Sequence, residues 1–250
     1  MAQGLANQEF ILELQPQVDA NTLKLVGVEA LIRWDHPDGR RAPDTFLPYI
    51  INSTLEHDVD QRVIEEAIKL LAQWQDPHVD IDISINITPQ TFANQSLLTM
   101  LDNARQHYPS ANLQHLHIEV LESAAIEELT IAIEVMKACQ QRGVSVALDD
   151  FGTGYSSLTY LKSLPADIVK IDRSFVIDML NNPDDLAIVE SIVYLAERFG
   201  KTVIAEGVET AAHIEALRNI GCHILQGYGI AKPMASDALV RWTSLHLATH

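Results

Sequence analysis

Residues 144–172 read VSVALDDFGTGYSSLTYLKSLPADIVKID. An apolar run, VSVALDD (144–150), ends in two adjacent carboxylates, Asp149 and Asp150. A glycine loop follows, then a helix-period stretch over 156–163. A second apolar run, DIVKID (167–172), carries one lysine, Lys170. Two strand-length runs joined by a short helix predict a strand–helix–strand unit, which lays two parallel strands side by side.

The same alternation extends in both directions. FILELQP (10–16) and LKLVGVEALIRW (23–34) come first, with a turn near Asp19–Asn21 that predicts antiparallel pairing. VDIDISINIT (79–88), LHIEVLE (116–122), TVIAEG (202–207) and HILQGY (223–228) complete a set of eight strands. Helix-period segments fall at 59–75, 90–107, 127–142, 184–200 and 210–220. Gly143, Gly200 and Gly221 each sit where a left-handed helix cap is expected. Eight strands alternating with helices predict an α/β architecture, and the count suits a (β/α)₈ barrel. A doubly wound open sheet is the alternative. One irregularity is that no helix separates the first two strands.

The 250 residues carry a net charge of −17. That balance argues against a general nucleic-acid binder, which needs a basic footprint. It also repels a phosphorylated substrate unless cations intervene. No apolar stretch approaches the roughly 20 residues of a membrane span. The start, MAQGLANQEF, has neither the basic nor the apolar region of a secretory signal. Cys139 and Cys222 lie far apart in helix-like and strand-like surroundings, as expected of buried free thiols in a reduced, cytoplasmic protein.

In a barrel, functional groups gather at the C-terminal ends of strands. Reading those ends in order gives Glu29 and Arg33, Asn86, Glu119 and Glu122, Asp149 and Asp150, Lys170 and Asp172, Glu206 and Glu209, and Gln226. A single polar strand end is ordinarily just solvated. Seven in succession converge on one mouth. Carboxylates brought together repel unless a cation joins them. Carboxylate oxygens and an amide carbonyl are hard ligands suited to Mg²⁺ or Mn²⁺. Two such ions about 3.5–4 Å apart form the usual clamp for phosphodiester hydrolysis. At a frayed strand end, Asp149 could bridge the ions while Asp150 turns to one of them.

Two other patterns are weaker. Gly152-x-Gly154-x-x-Ser157, with Asp172 beyond it, imitates a dinucleotide fingerprint. Its third glycine is a serine, however, and two carboxylates stand where a pyrophosphate would lie. The glycines are read instead as giving a mobile loop its turn. His115-x-His117-x-Glu119 offers three ligand types on one strand face, but histidines at later strand ends are missing. These histidines are read as exposed or strand-entry residues.

VGVEALIRWDHPDG, SINIT, Glu119-x-x-Glu122, DDFGTGYSSLTYLKSLPADIVKIDRSF, AEGVET and QGYGIAKPM together resemble the EAL-domain cyclic-di-GMP phosphodiesterases of bacteria. The resemblance covers about 8–240 of a chain read as one EAL-type domain over 1–250. It implies a modified TIM barrel with an antiparallel first strand, consistent with the missing first helix. It further implies that Glu29, Asn86, Glu119 and Asp149 bind one metal ion, and that Asp149, Asp150 and Glu206 hold a second. Lys170 matches the residue that assists the attacking water, and Glu122 the glutamate that positions the DDFGTGYSS loop. Gln15, Leu31 (through its backbone), Arg33, Asp172, Glu209 and Gln226 fall where the guanines and phosphates are held.

The implied reaction opens cyclic-di-GMP to linear pGpG with Mg²⁺ or Mn²⁺; Ca²⁺ is expected to support binding better than turnover. A second copy of the chain, and a sensory or GGDEF domain in a longer parent protein, are partners that the resemblance allows. That parent could carry a membrane anchor. The family follows Phe-Ile-Pro with two residues and a glutamate; here FLPYIIN puts Ile51 at that position, which bears on the support of the site rather than on its ligands. A cyclic-di-GMP receptor that does not cleave, and an interaction module without nucleotide, are the competing functions.

Overall fold

The computed structural model describes residues 1–74, 81–153 and 158–247. Nine strands form one sheet: β1 (Phe10–Asp19), β2 (Leu25–His36), β3 (Gly39–Arg41), β4 (Asp82–Asn86), β5 (Leu116–Leu121), β6 (Ser145–Phe151), β7 (Ile168–Ile171), β8 (Thr202–Ala205) and β9 (Ile224–Gln226). The sheet closes because β1 pairs with both β2 and β9. Both of these pairings are antiparallel, whereas β2 and β4 through β9 pair in parallel. The result is an eight-stranded mixed barrel whose first strand runs opposite to the rest. Closure leaves no open sheet edge among the eight and excludes the doubly wound alternative. The short β3 extends β2 as a hairpin and, among the described residues, pairs only with it.

The β1–β2 turn is built by Asp19, whose Oδ1 accepts from the Asn21 and Thr22 amides at 3.2 and 2.7 Å. So tight a turn leaves no room for a crossover helix, and antiparallel pairing follows.

Period-two alternation sorts the strand residues. Val28, Ala30, Ile83, Ile85, Ile118, Val120, Val146, Leu148, Val169, Ile171, Val203, Ala205 and Leu225 join the main core between barrel and helices. The intervening residues face the interior. Ala147, Ile168 and Ile204, with Ile224 packed on them, form an apolar layer inside the barrel. One step nearer the C-terminal mouth, the same strands carry Asp149, Lys170, Glu206 and Gln226. The apolar layer therefore serves as a floor for a polar layer above it.

Several helices differ from the sequence reading. The stretch 90–107 is two helices, Pro89–Ala93 and Ser96–His107, because Gln95 takes a left-handed φ of 62°. The stretch 127–142 forms one helix, Leu129–Gln140, and a further short helix, Glu122–Glu127, precedes it. Helix Glu56–Gln73 starts earlier than its apolar period suggests. Gly143, Gly200 and Gly221 do adopt positive φ, as expected of caps. Both cysteines are free and buried. No helix among the described residues is long and apolar enough to cross a membrane.

Candidate active site

The mouth of the barrel is organised around one cation. Lys170 is fully buried on β7. Its Nζ lies 2.6 Å from Glu206 Oε1, 2.7 Å from Glu119 Oε2, 3.2 Å from Asp149 Oδ1 and 3.5 Å from Glu29 Oε2. Four strands thus aim a carboxylate at one ammonium. A buried lysine needs such partners, since an isolated buried charge costs several kcal/mol. The family resemblance matches Lys170 to a residue that assists the attacking water. The ion pairing is now visible, and it occurs within the candidate ligand set itself.

Amides complete the layer. Glu29 Oε1 accepts from Asn86 Nδ2 at 2.7 Å, and Glu29 Oε2 from Gln226 Nε2 at 2.5 Å. Gln226 also donates to Gln15 Oε1 at 3.2 Å and accepts from Gln17 Nε2 at 2.8 Å. Gln17 was not singled out from sequence. Its inward position on β1, two residues before the turn at Asp19, was the available signal.

Asp149 and Asp150 reach the same mouth although they are adjacent. The β6–β7 register slips between Leu148 and Phe151, and Asp150 takes a left-handed φ of 53°. Non-glycine residues rarely adopt that conformation, and where they do it often marks a functional site. Oxygens of Asp149, Asp150 and Glu206 lie within 4.8 Å of one another. Glu119 Oε1 is buried without a hydrogen-bond partner among the described residues. An acceptor-rich cluster with one of its buried oxygens unused, hard in every donor, fits a divalent cation. Asn86 spends its amide nitrogen on Glu29, which leaves its carbonyl oxygen as the atom able to ligate.

The electrostatics follow from this crowding. Burial pushes the Glu206 carboxyl up to about 8 against the pull of Lys170, with Glu29 and Asp149 adding to the rise. Burial, then the charge of Glu29, holds Glu119 well above the usual carboxylate range, despite Lys170. Burial and the neighbouring Asp149 and Asp172 raise Asp150 to about 6. Glu29 goes the other way: burial opposes its charge, but Lys170 and the donors Gln226 and Asn86 outweigh that and keep it below the usual range. Burial disfavours charge on Lys170, yet the surrounding carboxylates raise its pKa well above the ordinary lysine value.

A pH prediction follows. Glu206 binds its proton more tightly folded than unfolded, so this contribution to stability is complete below about pH 4.5 and disappears as pH rises through about 8. A bound cation would displace the proton. Melting temperature between pH 5 and 9 is expected to fall more steeply in chelator than in Mn²⁺, and Mn²⁺ binding near pH 7 to release protons. Parallel slopes with no proton release would contradict this.

The remaining candidates are distributed around the mouth. Arg33 Nε donates to Glu13 Oε2 at 2.9 Å and its Nη1 to the Ile32 carbonyl, so its guanidinium is held along β1 and β2. Leu31 pairs with Glu13 across the β1–β2 ladder. Asp172 caps helix Arg173–Asp178 by accepting from the Ser174 amide at 3.0 Å. Glu209 is exposed just after β8. The loops after β8 and β9 interlock through glycines: a Cβ on Gly227 would meet Val208 backbone at 2.2 Å, and one on Gly229 would meet Glu209 backbone at 2.5 Å. Only glycine permits that approach, which fixes Glu209 relative to Gln226.

Glu122, buried at the start of its helix, accepts from the Gly152 amide at 3.2 Å. Residues 154–157 of the DDFGTGYSS segment, Gly154 and Ser157 included, lie outside the described residues. Glu122→Ala is expected to speed amide exchange at Gly152 and Thr153 and lower turnover, with little change in melting temperature. Unchanged protection at those amides would count against the contact.

His115 and His117 point away from this mouth. His115 Nδ1 is 2.9 Å from Asp82 Oδ1 and His117 Nε2 is 3.6 Å from Asp82 Oδ2. Asp82 starts β4, so these histidines serve the N-terminal end of the barrel while Glu119 serves the other.

Comparison with known proteins identifies the family. Residues 1–233 match the EAL domain. The bifunctional diguanylate cyclase/cyclic di-GMP phosphodiesterase MucR of Pseudomonas aeruginosa is 38% identical over 242 residues, which is 96% of this chain and 35% of MucR. The cyclic di-GMP phosphodiesterase PA2567 of the same organism is 34% identical over 244 residues, 97% of this chain and 41% of the relative. The chain thus spans about a third to two fifths of these relatives' length. Among solved structures, a MucR phosphodiesterase–c-di-GMP complex superposes with a TM-score of 0.91 at 38% identity, covering 95% of this chain and 97% of that one. An EAL domain protein from Listeria monocytogenes gives 0.87 at 33% identity, covering 97% and 96%. With its barrel and its sequence in agreement, this chain belongs to the EAL domain family.

Proposed function

We propose that this chain is a metal-dependent phosphodiesterase that hydrolyses cyclic-di-GMP to linear pGpG. The observation that carries the reading is the charged layer itself: Glu29, Glu119, Asp149 and Glu206 converge on Lys170, with Asp150 and Asn86 alongside. Relatives named as cyclic di-GMP phosphodiesterases and a neighbouring structure named as a c-di-GMP complex support the choice of substrate.

In this reading Glu29, Asn86, Glu119 and Asp149 hold one Mg²⁺ or Mn²⁺, and Asp149, Asp150 and Glu206 a second. Bound divalent cations would activate a water for attack and neutralise charge on the phosphodiester. The chain's own residues do the rest. Lys170, an ammonium 2.6 Å from Glu206, would orient the attacking water by donating a hydrogen bond, while the Glu206 carboxyl, whose pKa burial raises to about 8, would take up the water's proton and return it. The new bond forms between water oxygen and phosphorus, and the phosphorus–O3′ bond breaks. The departing 3′ oxygen takes a proton and the phosphate stays on the 5′ side, as pGpG requires. Gln15, Leu31, Arg33, Asp172, Glu209 and Gln226 position guanines and phosphates, while Glu122 tethers the loop at Gly152. The working unit is one domain over 1–250, within a bacterial cytoplasm, and other domains of a parent protein or a second copy could regulate it.

Purified protein incubated with cyclic-di-GMP and Mn²⁺, with products separated by chromatography, tests this reading. Linear pGpG is expected; tight binding with no product would make the chain a receptor instead, and no binding would remove the nucleotide altogether.

A further inference from the structure

Two buried carboxyl groups stand outside the set paired with Lys170. Asp60 and Glu56 lie on helix Glu56–Gln73, each 2% exposed. Burying a carboxylate is costly unless its oxygens are used. Glu56 Oε2 accepts from the Asn52 amide at 2.7 Å. Asp60 Oδ2 accepts from the Thr88 hydroxyl at 2.5 Å and faces the Thr88 amide at 3.4 Å.

Thr88 immediately follows the segment that presents Asn86. It occupies the N-cap position of helix Pro89–Ala93, yet its hydroxyl does not cap that helix. A threonine in that position ordinarily turns its oxygen to the helix amides. Here the hydroxyl goes to Asp60 instead.

Asn86 needs such an anchor. Pairing of β4 with β2 ends at Ala30–Ile85, one residue short of Asn86. On the other side β5 continues, with Asn86 opposite Glu119 and the Ile87 amide donating to the Glu119 carbonyl at 3.0 Å. The Asn86 backbone is thus laddered on one side only. The Asp60–Thr88 contact supplies an attachment beyond the end of the strand.

We propose that Asp60, acting through Thr88, is a positioning residue for Asn86 and sets where its carbonyl oxygen stands at the barrel mouth. This rests on the reading of Asn86 as a metal ligand, and the test separates the two. Mn²⁺ is titrated into chelator-stripped protein and free Mn²⁺ is followed by electron paramagnetic resonance, alongside thermal melts. Asp60→Ala and Thr88→Val are each expected to weaken Mn²⁺ binding about tenfold, as loss of a group orienting a metal ligand does. The double variant should bind no more weakly than Asp60→Ala alone, and Thr88→Ser should retain wild-type affinity. Ile68→Ala, in the buried face of the same helix, should lower the melting temperature while leaving Mn²⁺ affinity unchanged.

Wild-type affinity in Thr88→Val, or a loss of affinity in Ile68→Ala equal to that in Asp60→Ala, overturns the proposal. If Asp60→Ala does not fold, the contrast between Thr88→Val and Thr88→Ser decides. Asn86→Ala distinguishes the failures: normal affinity there removes Asn86 from the metal site and this inference with it. Weakened affinity there, with Thr88→Val normal, sinks this inference alone.

Discussion

Lys170→Met is expected to destabilise the metal-free protein by about 3–5 kcal/mol, the usual result of removing one partner from a buried ion pair. Methionine keeps the aliphatic length but leaves Glu29, Glu119, Asp149 and Glu206 facing one another without the ammonium. Those carboxylates would respond by taking up protons, as Glu119 and Glu206 already tend to. Mn²⁺ supplies the missing positive charge, so most of the lost stability should return with it. Hydrolysis should not. At saturating Mn²⁺ the variant should bind cyclic-di-GMP and cleave it roughly a hundredfold more slowly, the ordinary worth of acid–base assistance. Thermal melts with and without Mn²⁺, run beside binding and turnover on one preparation, check both halves. A variant that melts low but turns over normally would make Lys170 a structural partner only.

Asp149→Ala should have the larger effect on activity. Asp149 is the carboxylate placed to touch both clusters: its Oδ1 lies 3.2 Å from Lys170, and its oxygens join Asp150 and Glu206 within 4.8 Å. Losing a shared ligand should forfeit several kcal/mol of charge stabilisation at the phosphodiester. Each 1.36 kcal/mol is tenfold in rate, so a fall of about a thousandfold is expected. Apo stability should change far less than in Lys170→Met, because one repelling carboxylate leaves the cluster and Lys170 keeps three partners. Product formation at saturating Mn²⁺ measures it, with Glu29→Ala expected to behave similarly. Rates near wild type in both would move the site elsewhere.

Much of the barrel was legible because its strands are buried on both faces. Runs such as VSVALDD and DIVKID then stand out as apolar segments, and period two fixes which residues face inward. Reading the C-terminal strand ends of a barrel in order is what points Glu29, Glu119, Asp149, Lys170, Glu206 and Gln226 toward one mouth in the sequence. The missing first helix likewise pointed to the antiparallel β1.

Other features depend on tertiary context. Asp150 shares the mouth with Asp149 only because the chain slips register and turns left-handed there, which no spacing announces. The break at Gln95 sits inside a continuous helical period. Asp60 and Glu56 are charged residues in a helix, ordinarily read as a solvated face, and only the fold shows them buried. At Ile51, where the resemblance leads one to expect a glutamate, the residue is 45% exposed, and the carboxylate bonded to the adjacent Asn52 amide comes from Glu56.

On the proposed function, this acidic mouth works by holding divalent cations. The most direct measurement strips the protein with chelator, assays cyclic-di-GMP hydrolysis in excess chelator, and then restores Mn²⁺ while counting bound ions per chain. No hydrolysis is expected in chelator, and pGpG formation is expected to recover as two Mn²⁺ bind per chain. Full activity in excess chelator would contradict it.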